Sequence, residues 1–270
     1  MRSRAHRAAT TGMVILFLLY AIPLVWLIAT SLKTKDVLYA DPAGIVFMPT
    51  LDVYVAVFKA GLLPAAWNSF VIALGSTLVL VVLGAPAAYA LSRVRGYVLV
   101  AGLAGLIILQ MVPVAATVIP LYQILARFGL LSQFGVILTD AALLLPFAVL
   151  LLRPFFAAVP LEIEEAAAVD GASRIRVFLQ VTLPLARNGV ITVGSLAFIL
   201  IWGEFLYAIT FISDPAAYPL SALLSQQVSF YGVNWPNLMA LGVAGSIPIF
   251  LVFIVVAGRL QEGLAVGSAK

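Results

Sequence analysis

The sequence predicts an all-α integral membrane protein with six transmembrane helices. Of its 270 residues, 64% are hydrophobic and only 10% are charged, whereas about 25% of the residues in a soluble domain are charged. Such an apolar surface is stable in lipid rather than in water. The net charge is +4, but the basic residues are spread between the apolar stretches instead of forming a patch, which argues against nucleic-acid binding.

Six stretches are long enough to cross a bilayer, which takes about 20 mostly apolar residues. We place them near residues 11–31, 66–91, 97–119, 135–157, 189–213 and 239–259. The first follows a basic start, but its apolar run is too long for a cleaved signal peptide, so we expect a retained anchor. The simplest partition is a single membrane domain over residues 11–260, with short tails at 1–10 and 261–270.

The positions of the Lys and Arg residues predict the orientation in the membrane. With the N-terminus inside, eleven of the fifteen lie on the inner side: Arg2, Arg4, Arg7, Arg93, Arg95, Arg153, Arg174, Arg176, Arg187, Arg259 and Lys270. The outer segments hold the other four: Lys33, Lys35, Lys59 and Arg127. Because basic residues are enriched in cytoplasmic loops, we expect both termini and the loop at 158–189 to face the cytoplasm.

The composition argues against several kinds of active site. The chain has no cysteine, which excludes disulfides and thiolate chemistry. Its only histidine, His6, lies in the N-terminal tail, which argues against a histidine-based metal site or catalytic triad. None of the lysines follows a glycine, so the chain lacks the Gly-Lys-Ser/Thr sequence of a phosphate-binding P-loop.

The loop between spans four and five, residues 158–189, is the most polar long segment of the chain. Pro160 suits the first turn of a helix, and Glu164 and Glu165 follow where the helix dipole favours acidic side chains. Asp170 and Gly171 predict the end of this helix, since glycine is the usual residue where the chain turns left-handed past a helix end.

A second short helix is predicted directly after the first. Ser173 can cap it, and Leu183–Pro184 would end it because the residue before a proline is pushed out of the helical region. Its apolar side chains share one face by i, i+3 and i+4 spacing: Ile175, Phe178 and Leu179. Such an amphipathic helix packs either against the protein's own inner ends and the lipid headgroups, or in a groove of a partner.

Of these two alternatives, the residues of the loop favour packing in a groove of a partner. Segment Leu161–Ala172, with Leu183–Pro184 at this spacing, closely resembles the cytoplasmic coupling motif of permease subunits in binding-protein-dependent ABC importers. Other segments resemble the carbohydrate-uptake branch of that family: Ser31–Lys33, Asn68–Ser69, Ala88–Arg93, Pro120–Tyr122, Gly129–Leu130, Trp202–Tyr207 and Gly263–Lys270. The last of these is similar to the tail of the maltose-type second permease subunit. One departure is Gly203, where the family more often has asparagine.

The resemblance covers essentially the whole chain and implies a MetI-like ABC importer permease fold in a bacterial or archaeal cytoplasmic (inner) membrane. It implies three kinds of protein partner in and around the lipid bilayer: a homologous second permease subunit, two ABC ATPase subunits and an extracytoplasmic solute-binding protein. ATP and Mg²⁺ would be held by the ATPases, and this chain would hold no cofactor and catalyse no reaction. The residues implied to contact the ATPases are Glu164, Glu165, Ala166, Ala167, Asp170, Gly171, Ala172, Arg174, Ile175, Phe178 and Pro184.

Two acidic residues lie inside the predicted spans, Asp140 in the fourth and Glu204 in the fifth. An ionisable residue in a membrane is costly and is therefore a functional-site hypothesis. The alternative is a structural hydrogen bond to a neighbouring helix. Trp202 and Tyr207 offer aromatic faces near Glu204 for a sugar, and Gln110 is a weaker candidate. We predict that these five residues line the substrate pathway.

The predicted function is that of a permease subunit that lines half of a translocation pathway for a sugar or related polyol. The ATPases would drive it through the loop at 158–189. Three rival interpretations stay open: a permease of the same superfamily for glycerol phosphate or a peptide, an ion-coupled secondary transporter that uses Asp140 and Glu204, and an intramembrane enzyme. The enzyme interpretation lacks a convergent catalytic set.

Overall fold

The computed structural model describes the backbone of residues 2–230 and 232–267, and this part of the chain is mostly helical. In chain order the helices are α1 Arg2–Ser31, α2 Lys35–Ala40, α3 Asp52–Lys59, α4 Leu62–Arg93, α5 Gly96–Gln110, α6 Val114–Arg127, α7 Gln133–Ala157, α8 Leu161–Val169, α9 Arg174–Val177, α10 Leu183–Leu185, α11 Arg187–Trp202, α12 Leu206–Phe211, α13 Leu220–Ser225 and α14 Trp235–Gly267. The predicted all-α fold class is confirmed.

Shorter elements complete the chain. A π-helical turn, Phe178–Thr182, joins α9 to α10, and a 3₁₀ turn covers Pro215–Ala217. Two short antiparallel strands form a hairpin before the last helix, β1 Val228–Ser229 and β2 Gly232–Val233. Helices extend into both predicted tails, because α1 begins at Arg2 and α14 ends at Gly267. Residues 268–270 of the predicted C-terminal tail lie outside the described residues.

The chain forms two compact units, the first made of Met1–Leu63 and Leu223–Ile247. Here α1 exposes most of its apolar side chains, as expected of a helix in lipid. The segment after it folds back around Lys33, whose side chain is only 2% exposed. The Lys33 ammonium donates to the carbonyl of Gly44 at 2.7 Å and lies over the rings of Trp26 and Phe47. Carbonyl oxygens and aromatic faces therefore stabilise this buried cation.

Four of the six predicted spans are continuous helices that are long and apolar enough to cross a membrane: Thr10–Ser31 within α1, all of α4, all of α7, and Trp235–Ile254 within α14. Two bent helix pairs also pass that test, so the described part of the chain has up to six spans if each pair is counted once. The predicted positions of the four continuous spans are correct to within a few residues, apart from longer ends.

The prediction of one helix over residues 97–119 is wrong. The structure breaks this stretch after Gln110, and α5 and α6 meet at an angle of 88°. Pro113 stands directly before α6 with an extended ψ of 129°. The residue before a proline is disfavoured in the helical region, so the break at Met111–Pro113 follows from the position of this proline.

The prediction of one helix over residues 189–213 is also wrong. Helix α11 ends at Trp202, and α12 begins at Leu206 after an interruption of three residues. At its other end α11 meets the Arg174–Leu185 segment at an angle of 78°. The 16 residues of α11 extend only about 24 Å at 1.5 Å per residue, which is less than a bilayer core of about 30 Å.

The second unit, Pro64–Ala222 with Pro248–Lys270, is built around α7. Helices α5 and α11 both pack on α7, whose buried residues include Val136, Ala148 and Leu152. Near the end of α7 the backbone of α11 approaches so closely that a Cβ atom at Gly189 would overlap the ring of Phe155. Glycine is therefore required where the loop at 158–189 enters α11.

Candidate functional site

The loop at 158–189, called the coupling loop below, begins with helix α8. Pro160, predicted in the first turn, instead directly precedes the helix in an extended conformation. Asp170 and Gly171 end the helix, as predicted. Gly171 has a φ of +84°. Its N–H donates to the carbonyl of Ala168, and the N–H of Ala172 donates to that of Ala167. These two bonds form the Schellman motif, which satisfies the last carbonyls of a helix through a left-handed residue.

The second part of the coupling loop is also capped as predicted, because the Ser173 hydroxyl accepts the N–H of Arg176. Its predicted end is wrong. The chain remains helical from Arg174 through the π-helical turn and α10 to Leu185, so Pro184 lies inside a helical segment. The wider π-helical turn directly before Pro184 explains this, since it accommodates a residue with no N–H to donate.

Glu164 of α8 is the most highly connected side chain of the coupling loop. Its carboxylate accepts hydrogen bonds from helix α4 and from the second half of the loop. The guanidinium of Arg93 donates at 2.5 Å and 3.2 Å, the Tyr89 hydroxyl at 3.0 Å and the Thr182 hydroxyl at 2.8 Å. Glu164 is only 8% exposed. Such a two-pronged contact between arginine and carboxylate fixes both position and orientation.

The environment of Glu164 favours its ionised form. Burial alone opposes ionisation, but the hydrogen bonds from Arg93, Thr182 and Tyr89 and the positive charge of Arg93 outweigh burial. The pKa of the Glu164 carboxyl therefore lies below its ordinary value. The pair with Arg93 is consequently charged at neutral pH.

An open cleft lies beside this network. It has a volume of about 680 Å³, and its walls include Tyr89, Arg93, Glu165, Ala168 and Arg174. Apolar side chains of the same loop point to the surface: Ile163, Val169, Ile175 and Leu179. Val169 is 87% and Ile175 73% exposed. The loop therefore exposes an acidic side chain, a basic side chain and several apolar side chains, while the network around Glu164 fixes its inner side.

The predicted ATPase-contact residues divide by exposure. Glu164 points inward, and Ala167, Ala172 and Phe178 are half-buried. The exposed members are Glu165, Ala166, Asp170, Gly171, Arg174, Ile175 and Pro184. Phe178 packs on the Tyr89 and Phe156 rings at centroid distances of 5.1 Å and 6.1 Å. The predicted shared face of the second helix is thus split, because Ile175 and Leu179 are exposed while Phe178 packs inward.

Glu204, which the sequence placed inside the fifth span, lies in the interruption between α11 and α12. Its carboxylate accepts the N–H of Tyr207 at 2.7 Å and the N–H of Ala208 at 3.1 Å. Its backbone carbonyl accepts the hydroxyl of Ser221. These bonds satisfy first-turn N–H groups that have no partner inside the helix. Glu204 thus stabilises a broken helix, one of the two roles predicted for it.

Two of the predicted pathway residues line one cavity. A cavity of about 200 Å³ is bordered by Gln110 at the end of α5, by Tyr207 of α12, and by Thr117, Phe147 and Leu200. The hydroxyls of Tyr207 and Thr117 are hydrogen-bonded at 2.6 Å. The break between α5 and α6 also borders this cavity. The structure therefore brings Gln110 and Tyr207 together at a polar edge of a mostly apolar space.

The other two predicted pathway residues are buried elsewhere in the second unit. Trp202 is 6% exposed, and its ring stacks on Phe198 at 5.8 Å. Asp140 is 4% exposed, and its Oδ2 accepts no hydrogen bond from the described residues. Neither residue borders the cavity next to Tyr207. Their part in a pathway stays a prediction.

Residues 80–265 match the family of binding-protein-dependent transport system inner membrane components. This match covers well over half of the chain. The chain belongs to this family. It is therefore an ABC transporter permease, a non-catalytic membrane subunit of a transport complex that works with ATPase and solute-binding partners. Membership in this family excludes the intramembrane enzyme and the ion-coupled secondary transporter.

The permease is similar along almost its whole length to permeases of named uptake systems. It is 34% identical over 251 residues to the permease protein of the sulfoquinovosyl glycerol transport system of Agrobacterium fabrum, a match that covers 92% of this chain and 88% of the relative. It is 32% identical over 255 residues to the trehalose transport system permease protein of Mycobacterium tuberculosis, with 92% of each covered.

Solved ABC transporters share the fold. A bacterial ABC transporter that imports the acidic polysaccharide alginate matches with a TM-score of 0.67 and 16% identity, over 100% of this chain and 97% of that one. The methionine transporter MetNI in an inward-facing conformation matches with a TM-score of 0.61 and 18% identity, over 78% of this chain and 98% of that one. The predicted MetI-like fold is confirmed.

Sequence reasoning missed three residues of the coupling loop's support. Tyr89, Arg93 and Thr182 were not predicted as site residues, although Tyr89 and Arg93 lie in a segment that resembles the family. One signal was available: Arg93 ends a predicted span on the same side of the membrane as the acidic helix, which places opposite charges at one membrane surface. The pairing of these particular residues depends on how α4 and the loop pack.

Proposed function

We propose that this permease forms half of the translocation pathway of an ATP-driven importer for a sugar, glycoside or related polyol. The observation that carries the proposal is its similarity, over more than nine-tenths of its length, to permeases named for sulfoquinovosyl glycerol and trehalose. The rival solutes, glycerol phosphate and peptides, lack comparable support among these relatives.

The coupling loop supplies the link to the energy source in this proposal. Two ABC ATPase subunits, which hold ATP and Mg²⁺, would dock on the exposed side of the coupling loop of this chain and of a homologous second permease. The exposed side chains Val169 and Ile175 would become buried, while Glu165 and Arg174 beside the cleft would form polar contacts. Apolar anchors surrounded by polar contacts are typical of specific interfaces.

The proposed orientation has both termini and the coupling loop in the cytoplasm, and the solute-binding protein on the opposite side. The excess of Lys and Arg in the segments assigned to the inner side supports it. The cavity beside Gln110 and Tyr207 is proposed as part of the solute pathway, since a hydroxyl and an amide at the edge of an apolar space suit a polyhydroxylated solute.

Reconstituted transport tests the solute class. The permease would be placed in proteoliposomes with its second permease, ATPase and binding protein. Uptake of labelled disaccharides, glycerol phosphate and peptides would then be compared with and without ATP. We expect ATP-dependent uptake of a glycoside or polyol only. Uptake of a peptide or glycerol phosphate instead would contradict the proposed solute class.

Retention of the ATPase tests the docking surface. Ile175→Glu places a charge in the proposed interface, and we expect the ATPase to be lost from the purified complex. Ile45→Glu is a matched control, since Ile45 is 87% exposed but lies in the segment assigned to the opposite side of the membrane. Loss of the ATPase from both variants, or from neither, would refute the assigned surface.

A further inference from the structure

Arg93, the last residue of α4, contacts the coupling loop at two separate points. One guanidinium nitrogen donates to the carbonyl of Val159 at 3.3 Å, at the start of the loop. The guanidinium also forms its two-pronged contact with Glu164 in α8, and the pair has side-chain exposures of 18% and 9%. Because the pair is largely shielded from water, removal of either partner would leave an uncompensated buried charge, which costs more than breaking a surface ion pair.

Tyr89, one turn before Arg93 on α4, reinforces the same attachment. Its hydroxyl donates to Glu164, and its ring contacts Phe178 of the loop and Phe156 of α7 at centroid distances of 5.1 Å and 6.0 Å. The guanidinium of Arg93 lies 5.5 Å from the centroid of the Tyr89 ring. The last turn of α4 therefore contacts both halves of the coupling loop.

Thr182 completes the attachment from the far end of the loop. The π-helical turn Phe178–Thr182 ends at this threonine, whose buried hydroxyl donates to Glu164. The carboxylate of Glu164 on α8 is thus also bonded to the segment from α9 to α10, and this links the two halves of the loop. Since that carboxylate is bonded in turn to Arg93, any displacement of the loop acts directly on the end of α4.

We propose that Arg93 is a positioning residue that makes the coupling loop and the end of α4 a single mechanical unit. It acts through Glu164 and does not itself contact the ATPase. Movement imposed on the loop is transmitted to α4, a 32-residue helix that spans the membrane. This inference rests on the proposed function, because the ATPases supply the movement.

Distance measurements in the assembled complex test the mechanical unit without any solute. The chain has no cysteine, so spin labels can be placed at Val82→Cys on α4 and Glu162→Cys on α8, both exposed and both outside the proposed ATPase contacts. We expect the same narrow distance distribution without nucleotide and with a non-hydrolysable ATP analogue. In an Arg93→Met background the distribution should broaden or differ between the two states. An unchanged distribution in that background, or a distance that shifts in the native background, would overturn the proposal.

The amount of solute transported per ATP hydrolysed shows whether Arg93 transmits movement or only stabilises the complex. We expect Arg93→Met to lower the solute transported per ATP hydrolysed at least tenfold, with Arg93→Lys retaining more of it because the charge is kept. Arg95→Met, at an exposed arginine two residues away, should leave the ratio unchanged. If Arg93→Met lowers the melting temperature of the complex but not this ratio, Arg93 is only structural and the proposal fails.

If the complex with Arg93→Met does not assemble, a milder variant of the same network can be tested. Thr182→Val removes one hydrogen bond to Glu164 and keeps the size of the side chain, so we expect a two- to fivefold lower ratio of transport to hydrolysis. An unchanged ratio in an assembled Thr182→Val complex would contradict the inference. If the native complex shows the constant distance but imports no glycoside, the proposed solute class fails and the role of Arg93 stands.

Discussion

The carboxylate of Glu204 accepts the backbone N–H of Tyr207 at 2.7 Å, so an acidic residue within an apolar stretch begins a new helix. This arrangement accounts for an interruption of three residues between α11 and α12. It also directs the Tyr207 side chain toward Thr117 and the cavity beside Gln110. Glu204 thus positions Tyr207, a candidate residue of the solute pathway, although Glu204 does not border the cavity.

Removing the Glu204 carboxylate should destabilise the permease. In Glu204→Ala the N–H groups of Tyr207 and Ala208 lose their acceptor, and an unsatisfied buried donor costs about 1–3 kcal/mol. We expect a lower melting temperature and a lower yield of the complex. Glu204→Gln keeps one acceptor oxygen and should have a smaller effect. Asp214→Ala, which removes a similar cap at an exposed turn, is the control, and an equal effect there would contradict the special role of Glu204.

Gly171→Val should disrupt coupling without affecting membrane insertion. A β-branched residue strongly disfavours a φ of +84°, and the cost comes from the backbone because a Cβ atom at this position meets no other atom within 4 Å. We expect reduced ATPase retention or transport, a smaller loss for Gly171→Asn, and none for Gly105→Val, whose Cβ also meets open space. Normal transport and ATPase retention in Gly171→Val would show that the turn is not needed.

The purified permease alone should hydrolyse no ATP. None of its lysines follows a glycine, so the chain lacks a P-loop, and ABC permeases are non-catalytic subunits. Phosphate release from the chain in nanodiscs should equal that of empty nanodiscs, while the complex with its ATPase should be active. Turnover by preparations in which no ATPase is detectable by mass spectrometry would refute this prediction.

Acid should loosen the coupling loop. The pKa of the Glu164 carboxyl is below its ordinary value of 4.5, so its stabilising effect is complete above about that pH and is lost as the pH falls through the lower value in the folded protein. We expect the melting temperature of the permease in nanodiscs to fall as the pH is lowered below about 4.5, and to fall less in Glu164→Gln. Glu162→Gln, at an exposed position of α8, should behave like the native protein.

Much of the coupling loop could be predicted because its structure depends on neighbouring residues. The left-handed Gly171 and the capping Ser173 follow from local backbone and hydrogen-bonding preferences, and the structure has both. Pro160 lies directly before the helix instead of in its first turn, a difference of one residue. The end of the second helix could not be predicted in this way. The steric effect of a proline on the preceding residue is local. The π-helical turn before Pro184, however, is stabilised by the hydrogen bond from Thr182 to Glu164, a residue in the first helix of the loop.

The lipid environment, the all-α class and the approximate positions of the membrane spans could be read from the residues in order, because these properties depend on summed hydrophobicity over about 20 residues. Which acidic side chain is buried depends on how distant segments pack. Glu164 and Glu165 are adjacent in one helix and chemically alike, yet the first is buried against Arg93 and the second is exposed. Only the packing of α4 against the loop distinguishes them, because a charged side chain is buried only where an oppositely charged side chain and hydrogen-bond donors surround it. For Glu164, these groups come from residues far away in the sequence.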